Sequence, residues 1–120
     1  MTLEKFQEIV DQEIFSILIE ELGTDAVKSL VRLYLNDVDI RWESLETNLS
    51  LGRFDEASKE AHTIKGMAAN LGLSDLTNYS ENFMLAACAE NVDNARTQAK
   101  EVEKHIETSK EVFEEWVKAS

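Results

Sequence analysis

Residues 60–72, Glu-Ala-His-Thr-Ile-Lys-Gly-Met-Ala-Ala-Asn-Leu-Gly, decide how the rest of the chain is read. Apolar Ala61, Ile64, Ala68 and Leu71 recur at spacings of three and four. That is the period of an α-helix with one face turned inward. Followed backwards, the stripe takes in Phe54 and Ala57, and Gly72 stops it at the other end. Gly66 falls inside this helix, where a glycine costs roughly 1 kcal/mol relative to alanine. It lies one turn after His62, one of only two histidines, and directly follows Lys65.

The flanking sequence repeats the helical pattern. Residues 2–22 carry Leu3, Phe6, Ile9 and Val10, then Ile14, Phe15, Ile17, Leu18, Ile19 and Leu22, with a break at Val10-Asp11. Asp11 is placed to cap the second piece, because its carboxylate can accept from the free amides of a first turn. Gly23 sits where that piece should end. From Thr24 or Asp25 a long helix runs to Ser50, with Val27, Leu30, Val31, Tyr34, Leu35, Val38, Trp42, Leu45 and Leu49 as its inner stripe. Gly52 ends the turn that follows.

Beyond Gly72, Ser74 is expected to cap a further helix, with Leu76, Tyr79, Phe83, Ala86 and Ala87 inward. Asn91-Val92-Asp93-Asn94 reads as a turn. The last helix sets Ala95, Ala99, Val102, Ile106, Ser109, Phe113 and Trp116 along a seam. Its outer face lines up Glu103, Glu107, Glu111 and Glu115, like charges that weaken an isolated helix. Burial of the seam must therefore hold it. Connections this short make neighbouring helices antiparallel. The fold class expected is all-α, an antiparallel up-and-down four-helix bundle with an additional N-terminal helical lid, and residues 1–120 form one domain.

Composition narrows the function. The chain of 120 residues has no proline, 43% hydrophobic residues and 30% charged residues, which suits one helical core. Its net charge is −12, from 24 acidic and 12 basic side chains. A surface this acidic repels phosphate backbones and anionic lipid, so neither nucleic acid nor a membrane is an expected partner. The single cysteine, Cys88, forbids an internal disulfide or a multi-cysteine metal site and reads as a small, partly buried hydrophobe. No signal segment or membrane-spanning apolar run is evident, so a cytoplasmic location is expected.

On the outer side of the motif helix, chemistry gathers around His62. With roughly 100° per residue, Lys59 and Lys65 lie about 60° to either side of it, and Ser58 and Gly66 about 40° away. Ala69 is nearly in line, two turns on. A neutral imidazole is a nucleophile, and histidine exchanges its charge near neutral pH. Two ammonium groups beside it would stabilise a phosphoryl group arriving there. Gly66 and Ala69 withhold the bulk that would keep another protein away. The plainer alternative is an ordinary surface histidine on a helix flank; the interior glycine and the paired lysines argue against it.

At these residues the sequence resembles a known family. Ala61-His62-Thr63-Ile64-Lys65-Gly66, followed by Ala68-Ala69-Asn70-Leu71-Gly72 and Leu76, is similar to the signature of histidine-containing phosphotransfer (HPt) domains, here in the form of a stand-alone bacterial phosphorelay protein. The resemblance implies that His62 is the phosphoacceptor, that Lys65 stabilises the phosphoryl group and that Gly66 admits a receiver. Lys59, Ala69 and Asn70 would support the site. The donor would be the receiver domain of a hybrid sensor histidine kinase, and the acceptor the receiver domain of a response regulator. No cofactor is expected on this chain, Mg²⁺ being supplied by the receiver, and a monomer is expected. No phosphate-binding glycine loop is present, so ATP-dependent kinase activity of its own is not expected. Several family members carry Gln or Glu on the next helix to orient the ring, and Met84 stands there in this chain, which leaves water, Ser80 or Glu81 for that task, or a loosely held ring. Where some also have a basic residue one turn later, this chain has Cys88.

Off the core stripe, Met67 and Leu73, with Ser58 nearby and Ile14 and Ile17 from the lid, are expected to surround His62 as a docking patch. Ordinary packing is the competing account of each. His105, beside Lys104 and near Glu101, reads as structural or merely exposed. No helix carries the Glu-x-x-His pairs of bundle metal centres, so no metal site is expected. Two rival functions remain in view. One is a non-catalytic helical adaptor in which His62 is incidental; the other is a phosphohistidine-dependent transferase.

Overall fold

The computed structural model describes residues 3–120, so the first residue of the segment expected at 2–22 lies outside it. Six helices follow one another: α1 (Leu3–Ile9), α2 (Gln12–Leu22), α3 (Thr24–Ser50), α4 (Phe54–Asn70), α5 (Ser74–Cys88) and α6 (Val92–Ala119). No strand occurs among the described residues. Helices α3 to α6 close a ring of neighbours, α3 on α4, α4 on α5, α5 on α6 and α6 back on α3. This is the up-and-down four-helix bundle. At about 1.5 Å per residue a helix of α6's length reaches about 42 Å, and the longest axis of the molecule is 42 Å.

The remaining two helices form the lid across the end where α3 begins and α6 finishes. The joint between them is at Val10-Asp11, as the sequence indicates. Asp11 Oδ1 accepts from the amide of Ile14 at 3.1 Å and caps α2. What fastens the lid is a knot of aromatic rings. Phe6 and Phe15 each pack on Phe113, Phe15 meets Trp116 edge-on at 5.1 Å, and Tyr34 completes the group against Phe113. Buried Tyr34 also lies 2.6 Å from Ser109 Oγ, which in turn donates to the carbonyl of Ile106 at 2.7 Å.

The expected seams are largely the observed core, with Val27, Val31, Tyr34, Val38 and Leu45 of α3, Ala57, Ala61, Ile64 and Ala68 of α4, and Val102, Ile106 and Phe113 of α6 all buried. Several expectations need correction. Leu30, assigned to the inner stripe, is 38% exposed, because Val27 and Val31 on either side already fill the inward positions of that turn. Ser74 does not cap α5; it is the helix's first residue, and Leu73 occupies the cap position without a side-chain bond. Residues 91–94 are not a turn. Asn91 caps α6 by accepting from the amide of Asn94 at 3.1 Å, and the chain reverses one step earlier, with Glu90 at φ 53°. Cys88, at the end of α5, is exposed rather than partly buried.

Candidate functional site

The middle of α4 carries the site, and its local sequence explains why the helix forms there. Asp55 and Glu56 stand in the first turn, where negative charge complements the helix dipole. The inward positions are small, and Ala57, Ala61 and Ala68 let α4 approach both α3 and α5. At the far end Gly72, at φ 78°, takes the left-handed conformation that ends the helix. Arg41 of α3 fixes the other flank, 3.2 Å from Asp37 and 3.6 Å from Glu60.

His62 is exposed. Among the described residues no group hydrogen-bonds either nitrogen of its ring, so the ring is free to take a partner from outside. Gly66, one turn on, is also exposed, and a Cβ built on it would meet nothing within 4 Å. The chain's own packing therefore gives no reason for a glycine there. Ala69 and Asn70 continue the open strip toward the lid and are exposed, while Ser58 is half-buried at the other end.

The two lysines differ in how they are held. Lys59 is 72% exposed and pairs at 3.1 Å with Glu56 of its own helix. Lys65 reaches across to α5, where its Nζ donates to Glu81 Oε2 at 2.8 Å. Among the described residues, neither of the side chains suggested as a substitute for the ring-orienting residue hydrogen-bonds His62. Ser80 is fully buried with its Oγ unpartnered among the described residues, and Glu81 is engaged with Lys65. Among the described residues no cluster of three His, Cys, Asp or Glu side chains could hold a metal ion. His105 stands apart on α6, bonded through Nδ1 to the carbonyl of Glu101 at 2.7 Å and tilted on Tyr79.

The expected docking patch is only partly assembled. Leu73 is 2% exposed and belongs to the core. Gly72 turns the chain so that the Leu73 amide donates back to Ala68 at 2.9 Å and the side chain points in. Ile14 and Ile17 of the lid are 40% and 48% exposed. Ile14 sits beside Ala69 and Gly72, about two turns from His62 along α4. Met67 is half-buried and lines a shallow apolar groove of about 300 Å³ with Leu18, Leu30, Leu33, Tyr34, Asn70 and Leu71. Sequence reasoning passed over Leu33 and Ile40, which are 64% and 59% exposed on α3. Their seven-residue spacing, off the inner stripe, is the signal that could have found them.

A helical bundle that displays an exposed histidine, a lysine one turn along and an open glycine has the make-up of a phosphotransfer module, and comparison with known proteins gives its family. Residues 29–112 match the Hpt domain family, and the chain belongs to it. The phosphorelay intermediate protein YPD1 of Candida albicans is 30% identical over 96 residues, which cover 77% of this chain and 52% of that protein. The chain thus spans about half the length of this curated relative. In fold it is similar to the histidine-containing phosphotransfer protein B (HptB) of Pseudomonas aeruginosa PAO1, with a TM-score of 0.87, 20% identity, and coverage of 93% of this chain and 96% of that one.

Proposed function

We propose that this protein is a phosphorelay intermediate in which His62 accepts a phosphoryl group from a receiver-domain aspartate of a hybrid sensor histidine kinase and passes it to the aspartate of a response regulator. The observation that carries this reading is the exposed ring of His62, without a hydrogen-bond partner among the described residues, one turn from a glycine that the packing does not require. In the forward step the free ring nitrogen attacks phosphorus, the P–O bond to the aspartate breaks, and the aspartate leaves as a carboxylate. The other ring nitrogen keeps its hydrogen throughout. The return step reverses this on the next receiver.

Lys65 supplies positive charge to the phosphoryl oxygens, and Gly66 lets the receiver come close enough for in-line attack. Lys59, Ala69 and Asn70 frame the approach. The apolar groove lined by Met67 and Leu33 offers the receiver a modest transient contact, and Ile14 and Ile17 add exposed apolar surface on the lid. Mg²⁺ and the acidic pocket come with the receiver, so this chain needs no cofactor, acts as a carrier rather than a kinase and works as a cytoplasmic monomer. No helix among the described residues is long and apolar enough to cross a membrane.

The same exposed groove is what an adaptor without chemistry would use, and one experiment separates the two. Incubated with a receiver carrying a labelled aspartyl phosphate, the wild-type chain should take up label and His62→Gln should not. Label that never appears, or appears undiminished on His62→Gln, would defeat the relay reading. Uptake abolished by His62→Gln would defeat the adaptor.

A further inference from the structure

The contact between Lys65 and Glu81 joins α4 to α5 directly beside the phosphoacceptor. The lysine side chain is 34% exposed and the glutamate 43%, so the pair lies in water-like surroundings and adds little to folding stability. Its effect on the site is another matter. Residues three apart on a helix have Cβ atoms about 5–6 Å apart, which puts the Lys65 ammonium within reach of a group on His62. An ammonium has three hydrogens to donate. Glu81 takes one, and the rest stay available to phosphoryl oxygens. Among the described residues Lys59 has no such tie to a second helix; its partner is three residues away in the same helix.

Resting on the relay reading above, we propose that Glu81 is a positioning residue that sets how tightly the domain keeps its phosphoryl group. It aims Lys65 along the α4–α5 groove and offsets part of its charge, so phosphohistidine is stabilised enough to form but not enough to persist. The carrier is thereby kept a ready donor. Among the described residues Glu81 makes no hydrogen bond to His62, and it acts through Lys65.

The test is the plateau reached when the chain equilibrates with an isolated receiver domain charged by acetyl phosphate. Glu81→Gln keeps an acceptor for Lys65 but removes the charge. It should move the phosphoryl group toward His62 by roughly two- to fivefold, the scale of one unit charge acting over several ångströms in a largely aqueous setting. Glu81→Ala should move it in the same direction, and Glu81→Asp should return it toward wild type. On a Lys65→Met background the Glu81→Gln shift should shrink to less than half. A plateau that stays put, or moves toward the receiver, in Glu81→Gln and Glu81→Ala with wild-type helicity overturns the proposal. So does a shift of equal size without Lys65. Absence of any label on the wild-type chain would instead strike at the relay reading itself.

Discussion

The amide of Asp11 donates to the carbonyl of Gly72 at 2.7 Å, and this bond ties the joint of the lid to the turn between α4 and α5. A Cβ on Gly72 would lie 3.1 Å from the carbonyl oxygen of Asp11, and the residue sits at φ 78°. Gly72→Ala therefore meets both left-handed backbone strain and a tight contact with main chain. It should destabilise the fold by about 2 kcal/mol. A urea titration is the check, and an unchanged midpoint would contradict the close approach.

Gly66 presents the opposite case. Because a Cβ there meets nothing, Gly66→Ala should raise stability by about 0.5–1 kcal/mol through helix propensity alone. Gly66→Phe should stay folded in a thermal melt and yet lose most of its phosphotransfer with a receiver. If the phenylalanine variant transferred at the wild-type rate, the glycine would have no role in access.

Lys65→Ala should slow transfer by roughly tenfold or more, on the scale of losing one charged stabiliser of a transition state, while shifting the melting temperature by no more than a few degrees. Stopped transfer kinetics and a circular-dichroism melt give the two readings. Unchanged kinetics would remove Lys65 from the mechanism.

Ser109 Oγ donates to Ile106, so it accepts from the buried hydroxyl of Tyr34. Ser109→Ala should cost about 1–3 kcal/mol, since it leaves that hydroxyl buried without an acceptor. Burial also pushes the Tyr34 phenol well above its ordinary range, against the smaller opposing pull of its bond to Ser109. The sign follows. Below about pH 10 the phenol is neutral in folded and unfolded chains alike. Above that pH the unfolded chain loses the proton first, so stability falls as pH rises, by up to about 1.4 kcal/mol per unit. Tyr34→Phe should remove this part of the alkaline slope in urea titrations run across that range.

Much of this architecture was written in the hydrophobic period. The stripes of α3, α4 and α6, the glycines after α2, α3 and α4 and the Asp11 cap could be read directly, because each is a local rule acting within a turn or two. Leu30 and Leu73 could not. Both have the chemistry of the place they were assigned to, but their exposure depends on neighbours from other helices and on the turn at Gly72. The Lys65–Glu81 bond was hidden for the same reason, since no spacing rule links residues sixteen apart on different helices. Asn91 shows a subtler limit. A turn-forming residue and a helix cap are the same side chain doing related things, and only the backbone that follows separates them.

The rings of Phe6, Phe15, Tyr34, Phe113 and Trp116 are all gathered under the lid, whereas α4 faces the interior mainly with alanine around His62. The ring-on-ring contacts are thus concentrated at the lid end, and α4 packs inward mostly through small side chains together with Ile64. A visiting protein can press on such a helix without displacing large side chains, so docking need carry little reorganisation. Substitutions among these five rings should therefore be felt in durability rather than in the exposure of His62.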